Sequence, residues 1–198
     1  MAGEQINSIT IANLDATPIV LPTAGDGAPG TLTSITDYAK HSANGTVTTS
    51  YYRLARFPSQ AKIKRVRVYT DTPAATFTAD VNVAWSDSLV DGTRSDLVGT
   101  IPTSALDGTT TTFASYTSPN EMFANAQAFT NSTEYDLTFA GSYTPVMREA
   151  PMYENLGFKD PSGVFAQDPG GFLDIFIVPT VDTTPATGLI SVQVDYVV

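Results

Sequence analysis

The end of the chain carries two runs of alternating apolar residues, joined by a segment rich in Thr and Pro. In the first run, Leu173, Ile175 and Ile177 fall on one face. In the second run, apolar side chains occupy every second position: Ile190, Val192, Val194, Tyr196 and Val198. A period of two is typical of antiparallel strands with one buried face. A chain that ends inside a sheet has an ordered terminus, which favours a rigid β module over a protein built around a catalytic cleft.

Alternation recurs upstream, in the runs VTTSYYRLARF, AKIKRVRVYT and FTADVNVAW. The first run places Tyr51, Ala55 and Phe57 on the face opposite Tyr52 and Leu54. In the second run Ile63 is out of phase with the later valines, and this slip predicts a β-bulge near Lys64 and Arg65.

One segment carries helix signals. Ser118 is a good N-cap, Pro119 suits the first helical position, and Glu121 completes a capping box before an apolar stripe that starts at Met122. These residues predict one short helix. The segment PMYENLGF allows a single further helical turn.

The spacing of these runs predicts an all-β protein with six to eight strands, arranged as a β-sandwich of the jelly-roll kind. Residues 46–198 are predicted to form one sandwich domain. Residues 1–45 have little apolar periodicity and are predicted to form an extended N-terminal arm with edge strands; an ordinary first hairpin of the domain is the alternative. The arm residues predicted to contact a partner are apolar: Ile6, Ile9, Ile11, Ile19 and Leu21.

Composition narrows the classes of function. The 198 residues include 20 acidic and 10 basic side chains, so the net charge is −10. An anionic surface repels nucleic acid and anionic lipid, so neither is an expected partner. There is no cysteine, and no apolar run is long enough to cross a membrane or to act as a signal peptide. Assembly in a cytoplasm is therefore expected.

Catalytic signals are weak. His41 is the one histidine, and no GxSxG elbow or phosphate-binding glycine loop is present. Asp87, Asp91 and Asp96 lie together in the turn-rich segment 86–96, where Ca²⁺ ligation and ordinary turn chemistry explain the same residues. We expect no enzyme activity, no cofactor and no established metal site.

Cationic residues are distributed unevenly. Six of the ten cations fall between positions 53 and 67: Arg53, Arg56, Lys62, Lys64, Arg65 and Arg67. On two adjacent antiparallel strands they would form one patch, a docking surface for an acidic partner. Protection of an edge strand against unwanted pairing is the alternative explanation.

The segment YYRLARFPSQAKIKRVRVYTDTPAATFTADVNVAWSDS resembles small structural proteins of tailed bacteriophages. So does the closing pattern, in which a GGFLDI strand and an ATG turn precede the terminal VDYVV. The resemblance covers roughly residues 46–90 and 170–198. It implies a head decoration (cement) protein on the capsid exterior, which binds the major capsid protein and its own copies without enzyme activity.

Two alternatives accompany this hypothesis. One is a component of the tail, the neck or a head fibre. The other is a carbohydrate-binding β-sandwich for host attachment, which needs an aromatic platform. Its candidate aromatic residues are Tyr51, Tyr52, Tyr69 and Trp85. The phase of Trp85 within FTADVNVAW predicts that this residue belongs to the core instead.

Overall fold

The computed structural model describes residues 5–8, 31–41, 51–71, 77–85, 122–130, 132–156, 165–166, 168, 170–180 and 188–198. Within these residues the chain forms nine strands: β1 (Gln5–Asn7), β2 (Thr33–His41), β3 (Tyr51–Pro58), β4 (Lys62–Asp71), β5 (Phe77–Trp85), β6 (Ala124–Phe129), β7 (Thr133–Asp136), β8 (Phe172–Pro179) and β9 (Gly188–Val197). A 3-10 turn (Met147–Glu149) and a four-residue helix, α1 (Met152–Asn155), lie between β7 and β8. Neither described helix is long or apolar enough to span a membrane.

The strands form two sheets. One is five-stranded with the order β1-β3-β8-β5-β6, and the other is four-stranded with the order β2-β9-β4-β7. Strand β1 runs parallel to β3, and the remaining neighbours are antiparallel.

The order of the strands is that of a jelly roll. Strand β2 pairs with β9, β3 with β8, β4 with β7, and β5 with β6, so the first half of the chain pairs with the second half as one long antiparallel hairpin. Successive strands from β2 to β5 alternate between the sheets, which rolls this hairpin into a sandwich. The predicted all-β, jelly-roll sandwich is confirmed.

The core lies between the facing surfaces of the two sheets. Its central strands are β8 in one sheet and β9 in the other, and the ring of Phe57 on β3 meets that of Tyr196 on β9 at 6.2 Å. Strand β9 alternates between buried and half-buried positions, as its sequence predicts. Strand β8 is buried on both faces from Leu173 onward, because the outer face of the five-stranded sheet is covered as well. The two closing runs therefore do not form a hairpin, and they lie in different sheets.

The predicted bulge in β4 is confirmed. Ile63 pairs with Tyr196 and Arg65 pairs with Asp195, so Lys64 is the extra residue on β4. A second bulge lies in β3, where the register shifts between Leu54 and Phe57.

The bulge in β3 corrects the predicted phase of that strand. Tyr52, Leu54 and Phe57 are all fully buried, although the alternation placed Phe57 opposite the other two. Ala55 has a φ of 49°, a left-handed conformation that inserts one residue and restores Phe57 to the core face.

The predicted helix after Ser118 is wrong over its described part. Residues Ala124–Phe129 form strand β6, whose register with β5 shifts between Ala79 and Val81. Ala126 has a φ of 46° at this bulge, and its N–H donates to Asp80 at 2.7 Å. Pairing with β5 therefore overrides the local helix signals. The single helical turn allowed for PMYENLGF is α1.

The N-terminal region supplies edge strands to both sheets. Strand β1 lies at one edge of the five-stranded sheet, and the nine-residue strand β2 lies at one edge of the four-stranded sheet. Ser8 is fully buried, and its N–H donates to the carbonyl of Arg53 at 3.0 Å. The division at residue 45 into an arm and a body stays a prediction.

Tyr143 is a polar side chain of the core, and its hydroxyl donates to the carbonyl of Ile63 beside the β4 bulge at 2.8 Å. We expect Tyr143→Phe to lower the free energy of unfolding by about 1–2 kcal/mol, because that buried carbonyl loses its donor. Urea unfolding at neutral pH measures the loss, with Tyr69→Phe on an exposed tyrosine as the control.

The same variant has a consequence at alkaline pH. Burial raises the pKa of Tyr143 above its usual value of 10.0. The folded chain then keeps a proton that the unfolded chain releases, so this contribution to stability is full below pH 10.0 and is lost as the pH rises above it. We expect Tyr143→Phe to lose less stability than the wild-type chain at alkaline pH. An equal loss in both proteins would contradict the role given to this phenol.

Candidate functional site

The six cations predicted to form one patch lie on strands of different sheets. Arg53 and Arg56 lie on β3 in the five-stranded sheet, and the other four lie on β4 in the four-stranded sheet. The single patch is therefore wrong. Protection of an edge strand stays a prediction: β1 pairs with Tyr51–Arg53 of β3 and β7 pairs with Arg67–Thr70 of β4, and the other cations lie beyond these described pairings.

Arg53 and Arg56 are buried and hold a fully buried carboxylate, that of Asp174 on β8. Arg53 Nε donates to Asp174 Oδ2 at 2.6 Å. Arg56 donates through Nε to Oδ1 at 2.8 Å and through Nη2 to Oδ2 at 3.1 Å. These three residues form the buried charge cluster. Burial removes both arginines from any exposed docking surface.

The β3 bulge makes the buried charge cluster possible. In a regular strand, two residues three positions apart point to opposite faces. The extra residue near Ala55 brings Arg53 and Arg56 to the same face, opposite Asp174. The sheet thus carries an arginine pair and its counter-ion on the same face as Phe176 and Asn82.

A second buried carboxylate, Asp37 on β2, joins the two sheets at their edge. Its Oδ2 accepts hydrogen bonds from the Ser8 hydroxyl and, at 3.1 Å, from the Ala55 N–H. Its Oδ1 accepts from the N–H of Tyr38 at 2.9 Å. The left-handed Ala55 thereby directs its N–H to the other sheet.

Three of the four cations of β4 are paired with acidic side chains of the same chain. Lys64 Nζ lies 3.0 Å from Glu149 Oε2, Arg65 Nε lies 2.8 Å from Asp136 Oδ2, and Arg67 Nη1 lies 2.9 Å from Glu134 Oε1. Arg67 also donates to Gln193 Oε1 at 2.7 Å. The outer face of the four-stranded sheet therefore carries a network of mixed charge. A docking role for Lys62, Lys64, Arg65 and Arg67 stays a prediction.

These contacts shift the pKa values of the paired side chains. A hydrogen bond from Lys64 lowers the pKa of Glu149. Partial burial alone would raise the pKa of Asp136, but hydrogen bonds from Thr138 and Arg65 outweigh burial and lower it. The hydrogen bond with Asp136 raises the pKa of Arg65 in turn. All three groups therefore carry their charges at neutral pH.

The predicted arm contacts are mostly beyond the described residues. Ile6 lies in β1, in register with Tyr52, but its side chain is not described. The other arm residues lie outside the described part: Ile9, Ile11, Ile19 and Leu21. The acidic segment 86–96 also lies outside it, as does the His41 side chain. Within the described residues, no three metal-ligating side chains form a group that could hold an ion.

Burial distinguishes the aromatic candidates for carbohydrate binding from one another. Tyr52 is fully buried in the core, so it cannot belong to a platform. Tyr69 is exposed on the outer face of the four-stranded sheet. The side chains of Tyr51 and Trp85 lie outside the described part. Sequence reasoning did not find Tyr38, which is also exposed and flanks Ser191 on the side opposite Tyr69.

Sequence reasoning also missed both buried carboxylates. Asp174 interrupts the apolar run FLDIFIV, and a charge in the middle of such a run is a signal for a buried ion pair. Asp37 had a weaker signal, because it alternates with Ile35 and Ala39 but does not interrupt a continuous apolar run.

No protein-family model matches the chain, and no curated protein matches it in sequence. The chain is similar to a solved structure described as the cyanophage Pam1 capsid asymmetric unit, with 17% identity and a TM-score of 0.36. The similarity covers 92% of this chain and 96% of that chain. At this score and identity it supports no conclusion about what the present chain does.

Proposed function

We propose that the chain is a structural protein of a tailed-phage virion. In this role it binds the capsid exterior as a decoration or cement protein, through contacts with the major capsid protein and with its own copies. It is assembled in the host cytoplasm and has no catalytic activity and no cofactor.

One observation carries the proposal. The two segments that resemble phage structural proteins are far apart in the sequence, yet they form the contiguous centre of both sheets. Strands β3, β8 and β5 are neighbours in one sheet, and β9 and β4 are neighbours in the other. The resemblance thus covers adjacent central strands of both sheets rather than scattered short runs.

Two further features support it. Double-sheet jelly rolls recur in viral capsid proteins, although the fold is also found in lectins and enzymes and does not specify a function alone. A net charge of −10 suits the outside of a head, because the inside faces phosphate groups of packaged DNA.

The test is to locate the chain in purified virions. We expect cryo-electron microscopy to show it on the head lattice, in contact with the major capsid protein, at a copy number comparable with that protein. Placement on the tail, the neck or a fibre would overturn the decoration role, as would absence from the particle.

Glycan binding is a second candidate, favoured by the two exposed tyrosines. Tyr38 and Tyr69 stand on either side of Ser191, so two rings border a small residue on an exposed sheet face. Aromatic rings separated by two strand spacings, about 10 Å, leave room for a flat sugar ring between them. Screening the wild-type chain on a glycan array separates this candidate from the first.

A further inference from the structure

An open cleft of about 600 Å³ lies beside the β4 bulge. Its walls come from the bulge itself, from the turn after β7 and from the 3-10 turn. The lining residues are Lys64, Arg65, Asp136, Thr138, Phe139, Ala140 and Arg148. A volume of this size is typical of binding sites that take up a few side chains or a small ligand.

The cleft offers hydrogen-bond donors of positive charge. Within the described part of the chain, Arg65 uses Nε to bind Asp136, and Arg148 uses Nε to contact Glu149 at 3.3 Å. The terminal nitrogens of both guanidinium groups make no described hydrogen bond, and both side chains are more than two-fifths exposed. Paired N–H groups of this kind match the two oxygens of a carboxylate.

The cleft also offers an exposed aromatic ring held in place from behind. Phe139 is 47% exposed, and its ring lies nearly parallel to that of the buried Tyr143, at 6.2 Å between centroids. Arg148 places its guanidinium carbon 5.9 Å from the centroid of the same ring. A fixed apolar surface therefore lies directly beside the free arginine donors.

We propose that this cleft binds an acidic peptide segment of another protein chain, with a carboxylate on Arg65 and Arg148 and an adjacent apolar side chain on Phe139. Charge complementarity supports this occupant, because three cations and one carboxylate line the cleft in a chain whose net charge is −10. Phe139 favours a peptide over an inorganic anion, which would use the arginines alone. The inference deepens the proposed function and rests on it only for the identity of the partner, which would be a capsid protein.

The test uses three short capped peptides and the full chain in isothermal titration calorimetry. The peptides have the central sequences Glu-Phe-Glu, Gln-Phe-Gln and Glu-Gly-Glu. We expect Glu-Phe-Glu to bind at millimolar concentration or better. Removing its two charges should weaken binding by about tenfold, and removing its ring should weaken binding by about threefold.

Matched variants connect binding to the cleft. Arg148→Gln should weaken Glu-Phe-Glu binding by about threefold, and Phe139→Ser by a similar factor. Lys40→Gln makes the same change of net charge at an exposed position of β2 outside the lining, so it should leave binding unchanged. Thermal unfolding of each variant confirms that the fold is retained.

Three outcomes would overturn the inference: no binding of Glu-Phe-Glu, equal binding to the Arg148→Gln and wild-type chains, and full displacement of the peptide by an equal concentration of inorganic phosphate. The result of the virion experiment does not depend on the result of this binding test. A chain that binds the peptide but is absent from virions would retain the cleft and lose the virion role.

Discussion

Replacing Asp174 by Asn is expected to lower the free energy of unfolding by about 3–5 kcal/mol. The side chains of Arg53 and Arg56 are only 8% and 3% exposed, and Asp174 is fully buried. The substitution keeps the shape of the side chain but removes the negative charge that both buried guanidinium groups contact. Urea unfolding followed by circular dichroism measures the loss.

A surface pair in the same domain provides the matched control. Arg65 and Asp136 are joined at 2.8 Å, but both side chains are nearly half exposed. Water and salt screen such a pair, so Asp136→Asn should cost less than about 1 kcal/mol. Equal losses for the two Asp→Asn variants would contradict the importance of burial.

A third variant tests whether the loss of stability in Asp174→Asn comes from buried charges left without a partner. Replacing the whole buried charge cluster by Arg53→Met, Arg56→Met and Asp174→Leu removes all three charges together. Apolar replacement of buried, mutually paired charges is often neutral or stabilising, so this triple variant should recover most of the loss. A loss as large as that of Asp174→Asn would show that the cluster provides hydrogen bonds that apolar packing does not replace.

Replacing Asp37 by Ala is the second large effect, with an expected loss of about 3 kcal/mol. One oxygen of this carboxylate accepts from Ser8 and from the Ala55 N–H, and Ala55 is held in a left-handed conformation that costs energy without such a contact. The variant takes the acceptor away from both donors and leaves a small cavity at the edge between the sheets.

The Asn variant at the same position gives a graded result. Asp37→Asn keeps one acceptor oxygen, but its amide N–H₂ group faces a donor. It should therefore lower the free energy of unfolding by more than about 1 kcal/mol, but by less than Asp37→Ala does. Asp195→Asn is the control, since Asp195 accepts hydrogen bonds from Ser34 and Gln193 on the outer face of the same sheet. Because this network is exposed, Asp195→Asn should lower the free energy of unfolding by less than about 1 kcal/mol.

The sequence predicted the frame of the fold because its alternating runs carry a clear period. It also predicted the β4 bulge, because Ile63 breaks the phase of two later valines. The β3 bulge escaped prediction because an alanine occupies its left-handed position, where a glycine would have been the usual signal.

The β6 bulge explains why the apolar spacing after Ser118 predicts a helix. One extra residue near Ala126 breaks the period of two, so the remaining apolar spacing resembles that of a helix turn. The site residues were harder still. The buried charge cluster requires the β3 bulge and the pairing of β3 with β8, neither of which is visible from local pattern alone.

The rolled hairpin also governs when this chain can fold. Ser34 on β2 hydrogen-bonds Asp195 on β9, and these residues are 161 positions apart. As the ribosome extends the chain from its N-terminus, β2 emerges early but waits for its partner until synthesis has reached β9. Proteins dominated by such non-local pairing fold slowly and expose unpaired strands in the meantime. We therefore expect nascent chains of this protein to expose an unpaired β2 until β9 has been synthesised.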